Sequence, residues 1–298
     1  MLDVRRLRLL RDLAHLGTIA AVAEAHTYSP SAVSQQLAAL QREAGVPLLE
    51  RDGRGVTLTA AGAALVEHTE TVLAALEAAS ATLAAARTGL RATARIGAFP
   101  TAVRTLLPAA LVALARDHPG LDLMVTELDP VDMPAALRDR TLDVALVHDY
   151  DLAPAAPDPT LDSTPLLDET VFLAVPEGTD PGAEPVAGVR DAHWILGTPG
   201  TLCHTVALRT CEAAGYTPRV RHHADDFTAV LALVAAGQGV ALVPQLGAVA
   251  SPAAVRLLPL PIRRRTRVAH RRGTSAHPAV AACVAAIQAA AADYPRAT

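Results

Sequence analysis

Ser31, Ser34, Gln35 and Gln36 place small hydroxyls and amides on one side of a short helix. Such groups are compact enough to enter the major groove of DNA, where they can bond base edges or phosphates. The other side of that helix carries Val33, Leu37 and Leu40 at helical spacing, a stripe built for burial. Ser29 is a natural N-cap, and Pro30 suits the first helical position because the N–H it lacks would have no partner there. A shorter helix precedes it. Thr18 is its N-cap, and Ile19, Val22 and Ala23 share one face. After the polar helix come two short apolar strands, with Asp52-Gly53 marking a tight hairpin that sets Arg51 and Arg54 on a wing beside the groove. Thr18, at a helix N-terminus, is placed for a phosphate. Arg51 and Arg54 suit phosphate or the minor groove. With a first helix over Val4–Leu16, the order is helix, helix, tight turn, helix, hairpin. A small helical subdomain with polar outer faces would explain the stripes but not the whole order.

Composition narrows the rest. A chain of 298 residues allows two or three domains. The net charge is −4, and residues 1–58 carry seven arginines against six carboxylates. Attraction to a polyanion must therefore come from local arginine placement and from pairing of two copies, which doubles the contacts. All 26 basic residues are arginine. That excludes a Schiff-base lysine and the phosphate-cradling lysine of a Walker A loop. No G-x-S-x-G, complete G-x-G-x-x-G or H-E-x-x-H is present, so neither catalysis nor a cofactor is expected. No apolar run reaches the ~18 residues of a membrane span. Asp3, Arg5, Arg6, Arg8 and Arg11 interrupt any N-terminal signal core, so a cytoplasmic protein without membrane contact is expected. Three cysteines without C-x-x-C spacing indicate neither a disulfide scaffold nor a zinc ribbon.

Thr59-Ala60-Ala61-Gly62 opens a long alanine-rich helix predicted to run to about Thr88-Gly89. Its apolar positions Leu65, Val72, Leu76, Ala79, Leu83, Ala86 and Leu90 step by seven and then by alternating fours and threes, as a coiled-coil seam does. Packing on its own domain is the alternative. A length of roughly 30 residues, between two domains, favours a dimer seam. From Ala94 strands and helices alternate. Strands are predicted over 95–99, 121–127, 142–147, 171–175, 194–196, 219–223, 240–243 and 266–270. The helices fall over 202–214, 227–236 and 278–292. Repeated βα units imply an α/β fold with mainly parallel sheets. Prolines at 154, 157, 159 and 165 mark a crossing between two lobes, with the last strand and helix returning to the first.

The chain resembles the LysR-type transcriptional regulators over nearly its whole length. The motifs that carry this are Ala20-x-x-Ala23-Glu24, Ser31-Ala32-Val33-Ser34-Gln35-Gln36-Leu37-x-x-Leu40, Gly45-Val46-x-Leu48-Leu49-x-Arg51 and Thr57-Leu58-Thr59-x-Ala61-Gly62. Gly97-Ala98-Phe99-Pro100-Thr101, His118-Pro119, 142–147 and Gly237-Gln238-Gly239-Val240-Ala241-Leu242-Val243-Pro244 extend the match more loosely. The resemblance implies an all-α winged helix-turn-helix (1–58), a linker helix that dimerises (59–90), and a two-lobed α/β effector domain (91–298) like periplasmic binding proteins. Lobe I would hold about 91–165 and 264–298, and lobe II about 166–263. It also implies a homotetramer on an interrupted palindrome of double-stranded DNA, a small-molecule effector, and contact with RNA polymerase where the member is an activator. Carried over, Pro30, Ser31, Ser34 and Gln35 form the base- and phosphate-contacting face. Many members have arginine where this chain has Gln35. Glutamine prefers adenine and arginine guanine, so operator preference here should differ.

In the family the ligand lies between lobes, at strand ends and helix starts, as in open α/β sheets generally. Here that means Phe99, Pro100 and Thr101 in one lobe, and Thr198 through His204 in the other, with Thr201, Cys203 and His204 leading into a helix. His148 and Asp149, at a strand end on the crossing, are placed for the same cleft. Two helix starts bearing hydroxyls suit a carboxylate or other small anion, although Thr101 and Thr201 serve equally as simple N-caps. No basic cluster stands out to fix an effector. Peroxide-sensing members use two cysteines near Cys203 and Cys211, but Cys203 is offset by one position. Eight residues apart on one helix is ~12 Å, beyond the ~7 Å a disulfide allows, so buried or pocket-lining thiols are expected. Cys283, in the last helix, is expected in the core. His222 and His223 are adjacent on a strand and point to opposite faces, so no metal is expected there. Asp225 or Asp226 is the expected cap of the helix that follows.

Overall fold

The computed structural model describes residues 1–53, 55–86, 90–249 and 251–294, which fall into two compact units. The first unit contains residues 1–86 together with 272–277. It opens with α1 (Val4–Leu16), capped by the Asp3 carboxylate on the Arg5 and Arg6 N–H groups and closed by Gly17 at φ +75°. Next come α2 (Ile19–Ala25) and α3 (Pro30–Ala44). Thr18 and Ser29 cap them as expected, accepting from the Ala21 and Ala32 N–H groups. The stripes of the three helices meet in one core: Leu7, Leu10 and Leu13, Val22 and Ala23, and Val33, Leu37 and Leu40. β1 (Leu49–Asp52) and β2 (Gly55–Leu58) pair antiparallel with Asp52 opposite Gly55, forming the wing.

The long helix α4 covers Ala60–Ala85, capped by Thr59 on the Gly62 N–H. Thr88 and Gly89, where the sequence placed its end, lie outside the described residues. Two expected seam positions are used differently. Leu65 packs with the core of α1–α3, and Leu90 packs with the core of the second unit. Val72, Leu76 and Leu83 remain as an exposed apolar row, with Leu83 at 73% exposure. No helix among the described residues is long and apolar enough to cross a membrane.

The second unit is built on a six-stranded sheet. In chain order its elements are β3 (Ala92–Ala98), α5 (Pro100–Thr105), α6 (Leu107–Asp117), β4 (Leu121–Glu127), α7 (Met133–Arg138) and β5 (Val144–Tyr150). Then follow β6 (Leu161–Pro176), α8 (Pro185–Gly188), β7 (His193–Leu196), α9 (Leu202–Ala213) and β8 (Arg219–His223). α10 (Phe227–Ala235), β9 (Ala241–Pro244), β10 (Val255–Arg271) and α11 (Pro278–Ala292) complete it. Strand order is β4-β3-β5-β10-β6-β9, and a small parallel pair β7-β8 lies apart.

The sheet is mixed, not mainly parallel. β3 runs parallel to β4 and β5, whereas β10 is antiparallel to both β5 and β6. The expected strands 171–175 and 266–270 are parts of two much longer ones. β6 and β10 pair from Leu161↔Arg271 to Pro176↔Val255, with irregularities at Pro259/Arg263 and Thr266/Arg267. Pro165, Pro259 and Pro261 masked that continuity, since proline donates nothing to a ladder. Each end of this ribbon joins a different core. One gathers β3, α5, α6 and α11, including Ile96, Leu107, Leu114 and Ile287. The other gathers β7 and α9, including Trp194, Val206 and Cys211.

Gly62 shows why one position in the first unit accepts no side chain. A Cβ there would collide with the Leu48 carbonyl oxygen, where the first turn of α4 crosses the chain entering the wing. Backbone cannot yield as a side-chain tip can. Gly62→Ala is therefore expected to cost about 1–3 kcal/mol, read as a lower urea midpoint of the full chain.

Candidate functional site

In the first unit a small buried network sets the start of α3. The Asp12 carboxylate accepts from Arg11 Nε at 2.6 Å and faces His26 Nε2 at 2.6 Å. Arg11 and Asp12 are both buried. His26 directly follows α2, so the network ties the α2–α3 turn to α1. That turn contains Thr27 at φ +56°, a conformation rare for a β-branched residue and held here by its surroundings.

Beyond this turn, Pro30, Ser31, Ser34, Gln35 and Gln36 are exposed on α3. Most of their polar groups are already occupied. The Ser29 and Ser31 hydroxyls share a hydrogen bond of 2.9 Å, and Ser34 donates to the Pro30 carbonyl at 2.9 Å. Arg6 Nε donates to Gln36 Oε1 at 2.9 Å, and the same guanidinium pairs with Glu43. Among the described residues Gln35 alone on this face has an amide with no protein partner. Thr18 is exposed at the start of α2, and Arg51 is exposed on β1. Arg54 lies outside the described residues.

The second unit holds a cleft of about 450 Å³ between the β3–α5 and β4–α7 turns on one side and the starts of α9 and α10 on the other. Phe99, Pro100, Thr101, His148, Thr198, Thr201 and Cys203 all line it. His204 does not. A helix turns about 100° per residue, which carries His204 away from the cleft that Cys203 faces. Its Nδ1 lies 2.9 Å from the Gly197 carbonyl, and its ring sits beside His223. Asp149 does not line the cleft either. It faces a second hollow with Val147, Arg265 and Arg267, which His148 also borders. Asp226 is the cap of α10, while Asp225 accepts from the Thr198 N–H and hydroxyl.

The main residue missed in the sequence is Arg264, which forms the back of the cleft. It is 1% exposed, and Glu169, its cross-strand partner on β6, is 0% exposed. The guanidinium donates from two nitrogens to the two Glu169 oxygens, at 2.7 and 2.8 Å. The carboxylate also accepts from the Leu246 N–H at 2.9 Å and the Thr266 hydroxyl at 3.2 Å. Arg264 reaches the Thr101 hydroxyl at 3.3 Å and lies over the Phe99 ring at 4.9 Å. Burial, the largest single influence, would lower the Arg264 pKa. The charge and hydrogen bonds of Glu169, together with Tyr150 and Cys203, outweigh it, so the net shift is upward and the guanidinium stays charged. The signal was the run Arg263-Arg264-Arg265 on a strand, where alternation must turn the middle side chain away from the outer two.

His148 stands against Phe99 and Tyr150, its ring edge-on to both. Burial, and then the Arg264 charge, hold its pKa well below the ordinary histidine value. Tyr150 O–H is 3.5 Å from Cys203 Sγ. Burial pushes the Cys203 thiol up, and it pushes Cys211 up to about 11. Both cysteines sit on α9, with Cys211 fully buried in the second core. Cys283 is buried in the first.

Residues 4–63 match the bacterial regulatory helix-turn-helix protein of the lysR family, and residues 87–292 match the LysR substrate binding domain. The chain belongs to the LysR family. It is a DNA-binding transcriptional regulator with a substrate-binding domain. A LysR relative from Mycobacterium avium, named a probable hydrogen peroxide-inducible genes activator, is 34% identical over 245 residues, 80% of this chain and 76% of that one. A full-length OxyR variant from Pseudomonas aeruginosa shares the fold at 22% identity and a TM-score of 0.60, covering 97% of this chain and 95% of that one. CbnR in complex with its target DNA shares it at 24% identity and a TM-score of 0.53, covering 97% and 100%.

Two outcomes follow for this LysR protein. Glu169→Ala strands a buried guanidinium and is expected to cost about 3–5 kcal/mol in urea unfolding, whereas an apolar pair at 169 and 264 should recover most of it. The buried His148 stays neutral when folded but takes a proton near pH ~6.5 when unfolded. Because the unfolded chain then binds more protons, this group makes stability fall as pH drops below that value. Thermal melts from pH 7.5 to 5 should show a shallower acid loss for His148→Phe than for the parent.

Proposed function

We propose that residues 1–58 read an interrupted palindrome through α3, with Gln35 as the specifying side chain. The observation that carries this is the free amide of Gln35, exposed between neighbours whose polar groups are engaged within the protein. Glutamine bonds adenine N6 and N7 as a pair, so an adenine contact in each half-site is expected. Pro30, Ser31, Ser34 and Thr18 then position the helix on phosphate, and Arg51 with Arg54 adds backbone or minor-groove contact from the wing.

The apolar row on α4 pairs with its copy in a second chain, giving a dimer through residues 59–90, and two dimers form the tetramer. Residues 91–298 bind a small-molecule effector in the cleft lined by Phe99, Pro100, Thr101, His148, Thr198, Thr201 and Cys203. Ligand shifts the population of lobe arrangements and, through the assembly, the DNA geometry presented to RNA polymerase if the protein activates. The site carries no catalytic role. An anion, which the helix starts suit, would share the cleft with Glu127, Asp129, Asp132 and Asp225. A thiol-sensing reading is disfavoured by the raised pKa values of Cys203 and Cys211 and by the intact helix between them.

Footprinting on the DNA upstream of its own gene tests this, with Gln35→Ala beside the parent. A protected palindrome is expected, weakened by about 1–3 kcal/mol in Gln35→Ala and relaxed at one base pair. Equal protection by both proteins would remove Gln35 from the readout. No protection at low salt would remove the operator reading altogether.

A further inference from the structure

The chain has one tryptophan, four tyrosines and three phenylalanines. Among the described residues Tyr28 is the only one of them that is exposed, at 53%. It stands in the turn between α2 and α3, and its ring takes no part in the core of that unit. Its hydroxyl has no protein partner among the described residues.

The turn fixes where the ring stands. The Tyr28 N–H donates to the Ala23 carbonyl at 2.8 Å, and the Thr27 N–H to the Glu24 carbonyl at 3.1 Å. The ring lies beside that of His26, with centroids 6.1 Å apart and planes inclined by 22°. His26 is itself held against the Asp12 carboxylate at 2.6 Å. A tyrosine has two side-chain torsions, so one placed in this way loses little freedom when a partner arrives.

Tyr28 directly precedes Ser29, the cap of α3. A recognition helix meets the major groove with its N-terminal residues, so the turn before it lies near the sugar-phosphate strand bordering the groove. The charge pattern then asks what holds that strand. Between Arg11 and Arg42 the chain has no arginine, and it has no lysine anywhere. Arg11 is buried against Asp12, and His26 is engaged by the same carboxylate. Phosphate contacts from the turn must therefore come from neutral donors. A tyrosine hydroxyl is such a donor, and the positive end of α3 favours a phosphate at the same place.

We propose that Tyr28 donates its hydroxyl to a phosphate oxygen on the strand flanking the major groove. This rests on α3 being the reading helix. The contact adds affinity on every sequence and carries no base preference of its own.

The test uses the full chain on the DNA that it protects, beside Tyr28→Phe, which removes one oxygen and leaves the ring. Tyr28→Phe should weaken binding at least about fivefold, in keeping with the net worth of a hydrogen bond to a charged group. The same factor should appear on sites altered at single base pairs. The urea midpoint should not move. Nor should the slope of log affinity against log salt, because a neutral donor releases no counterion. Methylphosphonate placed at one phosphate at a time should locate a position in each half-site where the parent loses affinity and Tyr28→Phe loses less. Equal affinity of Tyr28→Phe and the parent would overturn the contact while leaving α3 as the reader. A loss seen in Tyr28→Ala but not in Tyr28→Phe would also overturn it, since the ring alone would then be used. So would a Tyr28→Phe loss that adds in full to that of every methylphosphonate. A parent that protects no DNA at low salt would overturn the operator reading and the Tyr28 contact together.

Discussion

The Glu169–Arg264 pair is the constraint on which the second unit depends. It joins neighbouring residues of the two long strands and is almost wholly removed from water. Such a pair is costly to bury and gives back that cost only when its geometry and remaining hydrogen bonds are complete. Here they are supplied from several elements: Thr266 on the same strand, the Leu246 N–H after β9, and Thr101 on α5. The pair therefore fixes where α5 begins relative to the strand ribbon. Phe99, stacked under the guanidinium, sets the apolar floor of the cleft. The surface of the cleft is thus an outcome of how one buried charge is satisfied.

A comparable economy governs the first unit. Its Asp12 carboxylate is flanked by Arg11 and His26, and the residues it ties together decide how α3 leaves the turn. Caps at Asp3, Thr18, Ser29 and Thr59 start every helix of the unit with a satisfied N–H. Few polar groups are left unengaged on α3, which is why Gln35 stands out there.

Local signals made much of this legible in the sequence. The first helix was placed to the residue and caps fixed where α2 and α3 begin, and the bounds of α9, β8 and α11 were met within a residue. Phe99, Pro100, Thr101, His148, Thr198, Thr201 and Cys203 line the cleft where they were expected, because strand ends and helix starts are marked by Pro100, Gly200 and Thr201, while His204 and Asp149 do not line it. What stayed hidden was long-range. Prolines concealed the continuity of β6 and β10. Arg264 and Glu169 are 95 positions apart, and only pairing in register shows them to be partners. His204 was misplaced because a cap fixes where a helix starts more firmly than which way its third residue faces. Leu65 and Leu90 kept the seam spacing but serve the cores at either end.

The path of the chain through the second unit has a consequence for its synthesis. α11 supplies Val280, Cys283 and Ile287 to the core that also contains β3 and α6, so that core lacks one wall until residues near the C-terminus exist. β10, which carries Arg264, is also made late. The helices and wing of the first unit draw their shared core from the first 66 residues. On the ribosome, the helix-turn-helix unit can assemble while the cleft of the second unit has no back wall. For much of translation, Glu169 emerges without its counter-charge and must remain in water until the returning strand arrives.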